Sequence, residues 1–164
     1  METVEERSEA LKQVMRQMPF PVTIVTAARE DSKRGITIGS FTSLSMDPPL
    51  VSFNVDKSSR MHDLLMESDY FNVHIPHEGQ AGLCSRFAIP DQTGEEQFDQ
   101  IPYTIDERGL PLLEDMVAVI RCKNYKQVEA GDHTLFMGEV SDISIQKEDT
   151  AILYLNGVYH HLRF

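Results

Sequence analysis

The chain has no tryptophan and only two cysteines, Cys84 and Cys122. Without tryptophan, any aromatic stacking falls to phenylalanine and tyrosine. Two cysteines cannot make a disulfide framework, so they read as buried, reduced thiols. No apolar run approaches the roughly 20 residues that span a bilayer, which argues against a membrane protein. Cations are scarce too: 15 Lys and Arg stand against 26 Asp and Glu, for a net charge of −11. Such a field repels DNA and RNA and excludes nucleic acid as the expected partner. It also means that any anionic ligand needs a local basic pocket. The acidic start, Met1-Glu-Thr-Val-Glu-Glu, lacks the apolar segment of a secretory signal, so a cytoplasmic location is expected.

Motifs are missing as well. Six histidines are present, but none forms HExxH and the cysteines form no paired CxxC, so no metal site is expected. The Walker and Rossmann glycine spacings are absent. No nucleophile–base–orienter set is legible, which argues against a hydrolase.

What is present suits one domain over residues 1–164, without repeats or linkers. Val4, Leu11, Val14, Met15 and Met18 predict an amphipathic N-terminal helix within residues 1–18 that packs on the body, stopped by Pro19 and Pro21. Residues 21–27 are β-branched and predict a first strand. Residues 29–35 read as a polar turn, 36–45 as a second strand, and 50–55 as a third after the Pro48-Pro49 turn. Ser58 or Ser59 would cap a helix carrying Met61, Leu64 and Leu65. Residues 70–75 read as a fourth strand and 78–87 as a short helix. Residues 88–110 read as an irregular excursion, which in a compact domain tends to be functional. Strands at 116–129, 134–145 and 150–155 complete the chain. Many short strands and few helices predict a mainly β fold, a barrel or sandwich.

Four stretches carry candidate chemistry. Lys57-Ser58-Ser59-Arg60 opens a helix, where unpaired N–H groups and a partial positive charge suit phosphate; alone it is also an ordinary serine cap. Gly39-Ser-Phe-Thr-Ser-Leu-Ser45 offers hydroxyls to a polar ring or sugar, and alone is a decorated edge strand. Ser85-Arg86 places a hydroxyl and a fork-shaped cation at a helix end, or a plain surface arginine. Gly131-Asp132-His133 lies between two long strands, where a hairpin would set an imidazole at a barrel mouth.

In sequence order, Pro21-Val-Thr-Ile-Val-Thr-Ala27, Gly35-Ile-Thr37, Ser40-Phe-Thr-Ser-Leu-Ser45, Pro48-Pro-Leu-Val51, Lys57-Ser-Ser-Arg60, Ser85-Arg-Phe-Ala88, Gly131-Asp-His133 and Gly138-Glu-Val140 closely resemble the flavin reductase-like family of FMN-binding split barrels. The likeness runs from about Leu11 to Leu162. It implies a Greek-key split β-barrel, a homodimer, and reduction of FMN or FAD by NAD(P)H, with the reduced flavin passed to a monooxygenase partner. It implies that Thr37, Ser40, Phe41, Thr42 and Ser43 line the flavin ring and ribityl chain. Asp56, Lys57, Ser58, Ser59 and Arg60, with Ser85 and Arg86, would hold the ring edge and phosphate. Gly131 and Asp132 would meet the nicotinamide, with His133 as the catalytic residue beside the flavin, and Tyr159 would complete the site. The chain departs from the family pattern at Pro21 and at Leu155-Asn156, where small and basic residues respectively are frequent. An FMN-binding electron carrier without NAD(P)H oxidase activity is the alternative reading.

Overall fold

The computed structural model describes residues 3–162; residues 1–2 and 163–164, the ends of the expected domain, lie outside the described residues. Helix α1 spans Val4–Arg16 and opens with a capping box between Thr3 and Glu6. The strands follow as β1 (Phe20–Pro21), β2 (Thr23–Arg29), β3 (Ser32–Ile38), β4 (Thr42–Met46) and β5 (Pro49–Asp56). Next come α2 (Arg60–Glu67), β6 (Tyr70–Ile75), α3 (Ala81–Phe87) and α4 (Gly94–Phe98). The chain ends with β7 (Tyr103–Ile105), β8 (Pro111–Leu113), β9 (Ala118–Ala130), β10 (His133–Ile145), β11 (Leu153–Leu155) and β12 (Val158–His160).

Seven strands form one antiparallel sheet in the order β3-β2-β6-β9-β10-β5-β4. Its edges, β3 and β4, are not hydrogen-bonded to each other, so the sheet curls without closing. This is the split-barrel architecture. Phe53, Phe71 and Phe136 fill its interior, with Phe53 edge-on to Phe71 at 5.3 Å and stacked on Phe136 at 5.9 Å. Each such ring contributes about 1.5–3 kcal/mol by leaving water. Gly138 is glycine because a Cβ there would lie 2.4 Å from the Phe71 ring. A second apolar cluster, with Ile24, Phe87, Phe98, Leu113, Met116 and Ile152, lies under α3, α4 and β8.

Several expected elements stand as read, notably α2, β6 and the long β9–β10 hairpin with its Gly131-Asp132 turn. Others differ. The second strand is not continuous over 36–45. It breaks after Ile38 because β3 and β4 lie on opposite edges of the sheet, and residues 39–41 cross the gap. There the Ser40 hydroxyl accepts the Asn54 N–H at 2.9 Å. The polar turn shrinks to Glu30 and Asp31, with Glu30 at φ 53, and Lys33 to Gly35 belong to β3. The 88–110 stretch is not structureless: it holds α4, capped by Thr93, and β7, which pairs with β8. The last strand is only three residues and returns through an Asn156-Gly157 turn to β12. Helix α1 has no fully buried residue; Leu11 and Val14 are exposed and Met15 is half-buried.

His74 ties β6 to two neighbours from full burial. Its Nδ1 faces the Ile24 carbonyl at 3.1 Å, and its Nε2 accepts the Leu113 N–H at 3.1 Å. Burial lowers its pKa to about 4. The neutral ring is therefore the folded form. Below the unfolded value near 6.5, the unfolded chain binds the proton and the folded one does not. Stability from this group is thus present above pH 6.5 and lost as pH falls toward 4, by about 3 kcal/mol in all. The expected signature is a His74 ring whose NMR shifts stay constant between about pH 7.5 and 5.5. A titration centred near 6.5 would contradict this assignment.

Candidate active site

Two adjoining cavities open beside the gap in the sheet. The larger, about 910 Å³, lies between α1, the β11–β12 hairpin and the ends of β3, β5 and β10. That is ample for a cofactor ring and part of its chain. Its walls include Phe20, Ile36, Thr37, Ser40, Asn54, His133, Tyr154 and Tyr159. The smaller, about 360 Å³, is lined by Arg34, Ser58, Ser59, Arg60, Asp91 and Gln92. Ile36, Asp56 and Ala88 belong to both, so the two form one groove with a largely apolar, aromatic end and a polar, cationic end.

The fold builds each wall by simple means. In the β5–β10 register His133 stands opposite Asp56, which brings the hairpin turn to the end of β5. The Asp132 carboxylate meets His133 Nδ1 at 2.8 Å, and this contact holds the Asp132 carboxyl below its ordinary range. The carboxylate can only accept, so Nδ1 carries a proton and Nε2 is the nitrogen left for a ligand. Asp56 Oδ1 accepts from the Ser58 N–H and hydroxyl, both at 2.7 Å. These bonds lower its pKa, aided by the nearby His133 and His62. Thr37 donates its hydroxyl to the Cys84 carbonyl at 2.6 Å. The Tyr159 hydroxyl meets the Ser85 side chain, and partial burial raises its pKa. Tyr154 packs edge-on to Tyr159 at 5.1 Å. Burial holds the thiols of Cys84 and Cys122 at about 12, which keeps both inert.

Of the expected ring-lining residues, Thr37 and Ser40 reach the larger cavity, as do Asp56, His133 and Tyr159. Phe41 packs against the core instead, and Thr42 and Ser43 lie on the exposed β4 edge, outside both cavities. Ser58, Ser59 and Arg60 line the smaller cavity. The Ser59 hydroxyl is also the α2 cap, accepting the Met61 N–H. Lys57 pairs with Glu129 at 3.0 Å, and its N–H donates to the Asp132 carbonyl. Gly131, at φ 62, shapes the turn and lines neither cavity.

Arg86 is placed differently from the expected phosphate fork. Its Nε donates to the Gln97 carbonyl at 2.9 Å and its Nη2 to those of Glu96 and Asp99. It closes the C-terminal end of α4. A cation that sequence reading did not single out, Arg34, stands in the smaller cavity beside Arg60, with its Nη1 donating to the Gln92 carbonyl at 2.7 Å. Partial burial lowers the Arg34 pKa, and the Arg60 charge lowers it further. Its signal was the strand Lys33-Arg34-Gly35-Ile36, hidden by reading those residues as a turn. Asn156-Gly157 was missed too, although Asn-Gly is the strongest short hairpin signal.

Residues 15–163 match the family described as flavin reductase like domain. The chain belongs to the flavin reductase-like family. Within that family, a flavin reductase of Pseudomonas putida is 38% identical to this chain over 147 residues, which cover 89% of this chain and 85% of that protein. An NADH-dependent FAD reductase of Streptomyces globisporus is 38% identical over 132 residues, covering 79% and 72%. The structure of the Streptomyces globisporus C-1027 NADH:FAD oxidoreductase SgcE6, in complex with NAD and FAD fragments, superposes with a TM-score of 0.88 at 33% identity, over 100% of this chain and 97% of that one. The flavin reductase HpaC complexed with NADP+ gives 0.87 at 35% identity over 94% and 97%.

The groove of this flavin reductase-like chain fits a flavin nucleotide by its own chemistry. An apolar and aromatic end suits a ring. Two adjacent guanidiniums in a chain of charge −11 suit a phosphate, which would relieve their mutual repulsion. The buried Gln92 Oε1 has no hydrogen-bond partner among the described residues. No helix among the described residues is long and apolar enough to cross a membrane.

Proposed function

We propose that this chain is an NAD(P)H:flavin oxidoreductase whose groove holds FMN or FAD with its ring in the larger cavity and its first phosphate in the smaller. The observation that carries the reading is that the two cavities adjoin at Ile36, Asp56 and Ala88, with His133 lining the larger and Arg34 and Arg60 the smaller. When bound, flavin accepts the hydride that NAD(P)H donates. The chain's own residues supply position and charge. Tyr154, Tyr159 and Phe20 shape the wall against which rings pack. Thr37 and Ser40 have their hydroxyls tied to backbone, so they fix the cavity floor more than they grip. Asp132 orients His133, and His133 lines the larger cavity beside Asp56, where it would set the nicotinamide over the flavin. Arg34 and Arg60 hold the phosphate, and the Ser58 and Ser59 turn shapes that end of the groove.

A homodimer fits the apolar side chains left exposed on β4 and the far end of β10, among them Leu44, Met46, Ile143 and Ile145. Several relatives are reductase components: the flavin-dependent monooxygenase reductase subunit HsaB of Rhodococcus jostii is 33% identical over 146 residues, which cover 89% of this chain and 73% of that protein. By that likeness the reduced flavin goes to a partner monooxygenase.

The test is oxidation of NADH and of NADPH, each with added FMN, FAD and riboflavin. Oxidation that depends on added flavin is expected. Flavin retained through gel filtration without any pyridine nucleotide oxidation would make the chain a carrier instead. No flavin binding at all would remove the groove assignment.

A further inference from the structure

The α1 wall of the larger cavity carries two side-chain pairs at i, i+4 spacing: Leu11 with Met15, and beside them Lys12 with Arg16. The apolar pair suits a ring. The other pair sets two cations on the cavity rim of a strongly acidic chain. Among the described residues neither makes a polar side-chain contact outside α1. Lys12 has an exposed contact to Glu9 at 3.7 Å, of a kind that contributes little in water. Both side chains are exposed. The Arg16 backbone, by contrast, is fixed: its carbonyl accepts the Asn156 N–H at 2.9 Å, which seats the last turn of α1 on the β11–β12 turn across the cavity. That facing hairpin brings Tyr154, Asn156, Gly157 and Tyr159 and no cation. The inner end holds Asp56 and His133. Arg34 and Arg60 belong to the other cavity, so a phosphate bound there leaves the α1 cations available to a second anion.

We infer that Lys12 and Arg16 bind the pyrophosphate of a dinucleotide at the outer end of the larger cavity, and that this dinucleotide is the pyridine nucleotide donor reaching toward His133. The inference rests on the hydride-transfer reading above. In it α1 is a binding element, which accounts for a helix that buries none of its side chains yet stands with its cations on a cavity rim.

The test is the double variant Lys12→Gln/Arg16→Gln, which alters two exposed side chains and leaves the core untouched. With FMN as acceptor, the KM for NADH is expected to rise about tenfold, as two charge-assisted bonds are lost. The dissociation constant of NADH for flavin-free protein, read by fluorescence, should rise by the same factor, and FMN affinity is the comparison that does not follow. Raising salt from about 50 to about 300 mM should weaken NADH binding more in the parent than in the variant. An unchanged KM and unchanged NADH binding overturn the inference. A loss that appears with FAD as acceptor and not with FMN assigns the cations to the FAD pyrophosphate and overturns the donor assignment. A parent protein that oxidises no NADH with any flavin overturns the underlying reading instead, and the binding measurement still decides the role of the two cations.

Discussion

Replacing Arg34 and Arg60 together with alanine should weaken FMN binding about a hundredfold and leave riboflavin within about twofold. Charge-assisted hydrogen bonds to a bound phosphate contribute roughly 1.5–3 kcal/mol each, and a hundredfold loss corresponds to about 2.8 kcal/mol. The two guanidiniums sit in the small cavity, away from the ring end, so the ligand without a phosphate should not register their loss. Isothermal titration or flavin fluorescence with both ligands decides it. Equal losses for FMN and riboflavin would sink the phosphate assignment, because they would mean a collapsed groove and not a missing anion contact. Arg86→Ala is the informative contrast. That side chain caps α4 through three carbonyls, so its removal should lower stability and disturb residues 94–99, with no preference for FMN over riboflavin.

His133→Ala should slow flavin reduction by NADH about tenfold to a hundredfold while leaving flavin affinity nearly intact. The imidazole lines the larger cavity, and losing a group that positions a reactant costs rate before it costs affinity. Asp132→Asn should reproduce part of the effect. It removes the anion that fixes Nδ1–H and holds the ring in place, without removing the ring. Stopped-flow reduction at saturating NADH is the measurement. Rates unchanged in both variants would take His133 out of the mechanism. A matching loss of flavin affinity would recast it as a wall of the flavin site.

How much of this was legible beforehand follows from what kind of signal each residue gives. The β9–β10 hairpin and β6 announce themselves by β-branched and aromatic runs, and α2 by Ser59 followed by Met61, Leu64 and Leu65. Local chemistry decides those. The break after Ile38 has no local cause. It exists because the neighbouring strands sit at opposite edges of a sheet, and topology is invisible to a window of ten residues. The same holds for the smaller cavity. Ser58, Ser59 and Arg60 are contiguous and were legible as a helix opening, whereas Arg34 joins them only through the fold. Arg86 is the reverse case. A cation next to a serine at a helix end looks like an anion site, yet here the negative ends it meets are the carbonyls of α4. His133 was legible because a Gly-Asp turn between two long strands fixes where its side chain must emerge.

The two edges of the open sheet are not equivalent. Along β3, the Gln97 side chain behaves like one residue of an eighth strand: it accepts the Gly35 N–H and donates to the Gly35 carbonyl. Helix α4 lies so close there that a Cβ on Gly94 would sit 2.0 Å from the Lys33 carbonyl. That flank is sealed against strand addition from another molecule. The β4 flank has no such cover among the described residues and carries exposed Leu44 and Met46. Growth of this sheet by a foreign strand is therefore one-sided among the described residues: adding strands at both flanks is barred, and a pairing at β4 consumes its open flank.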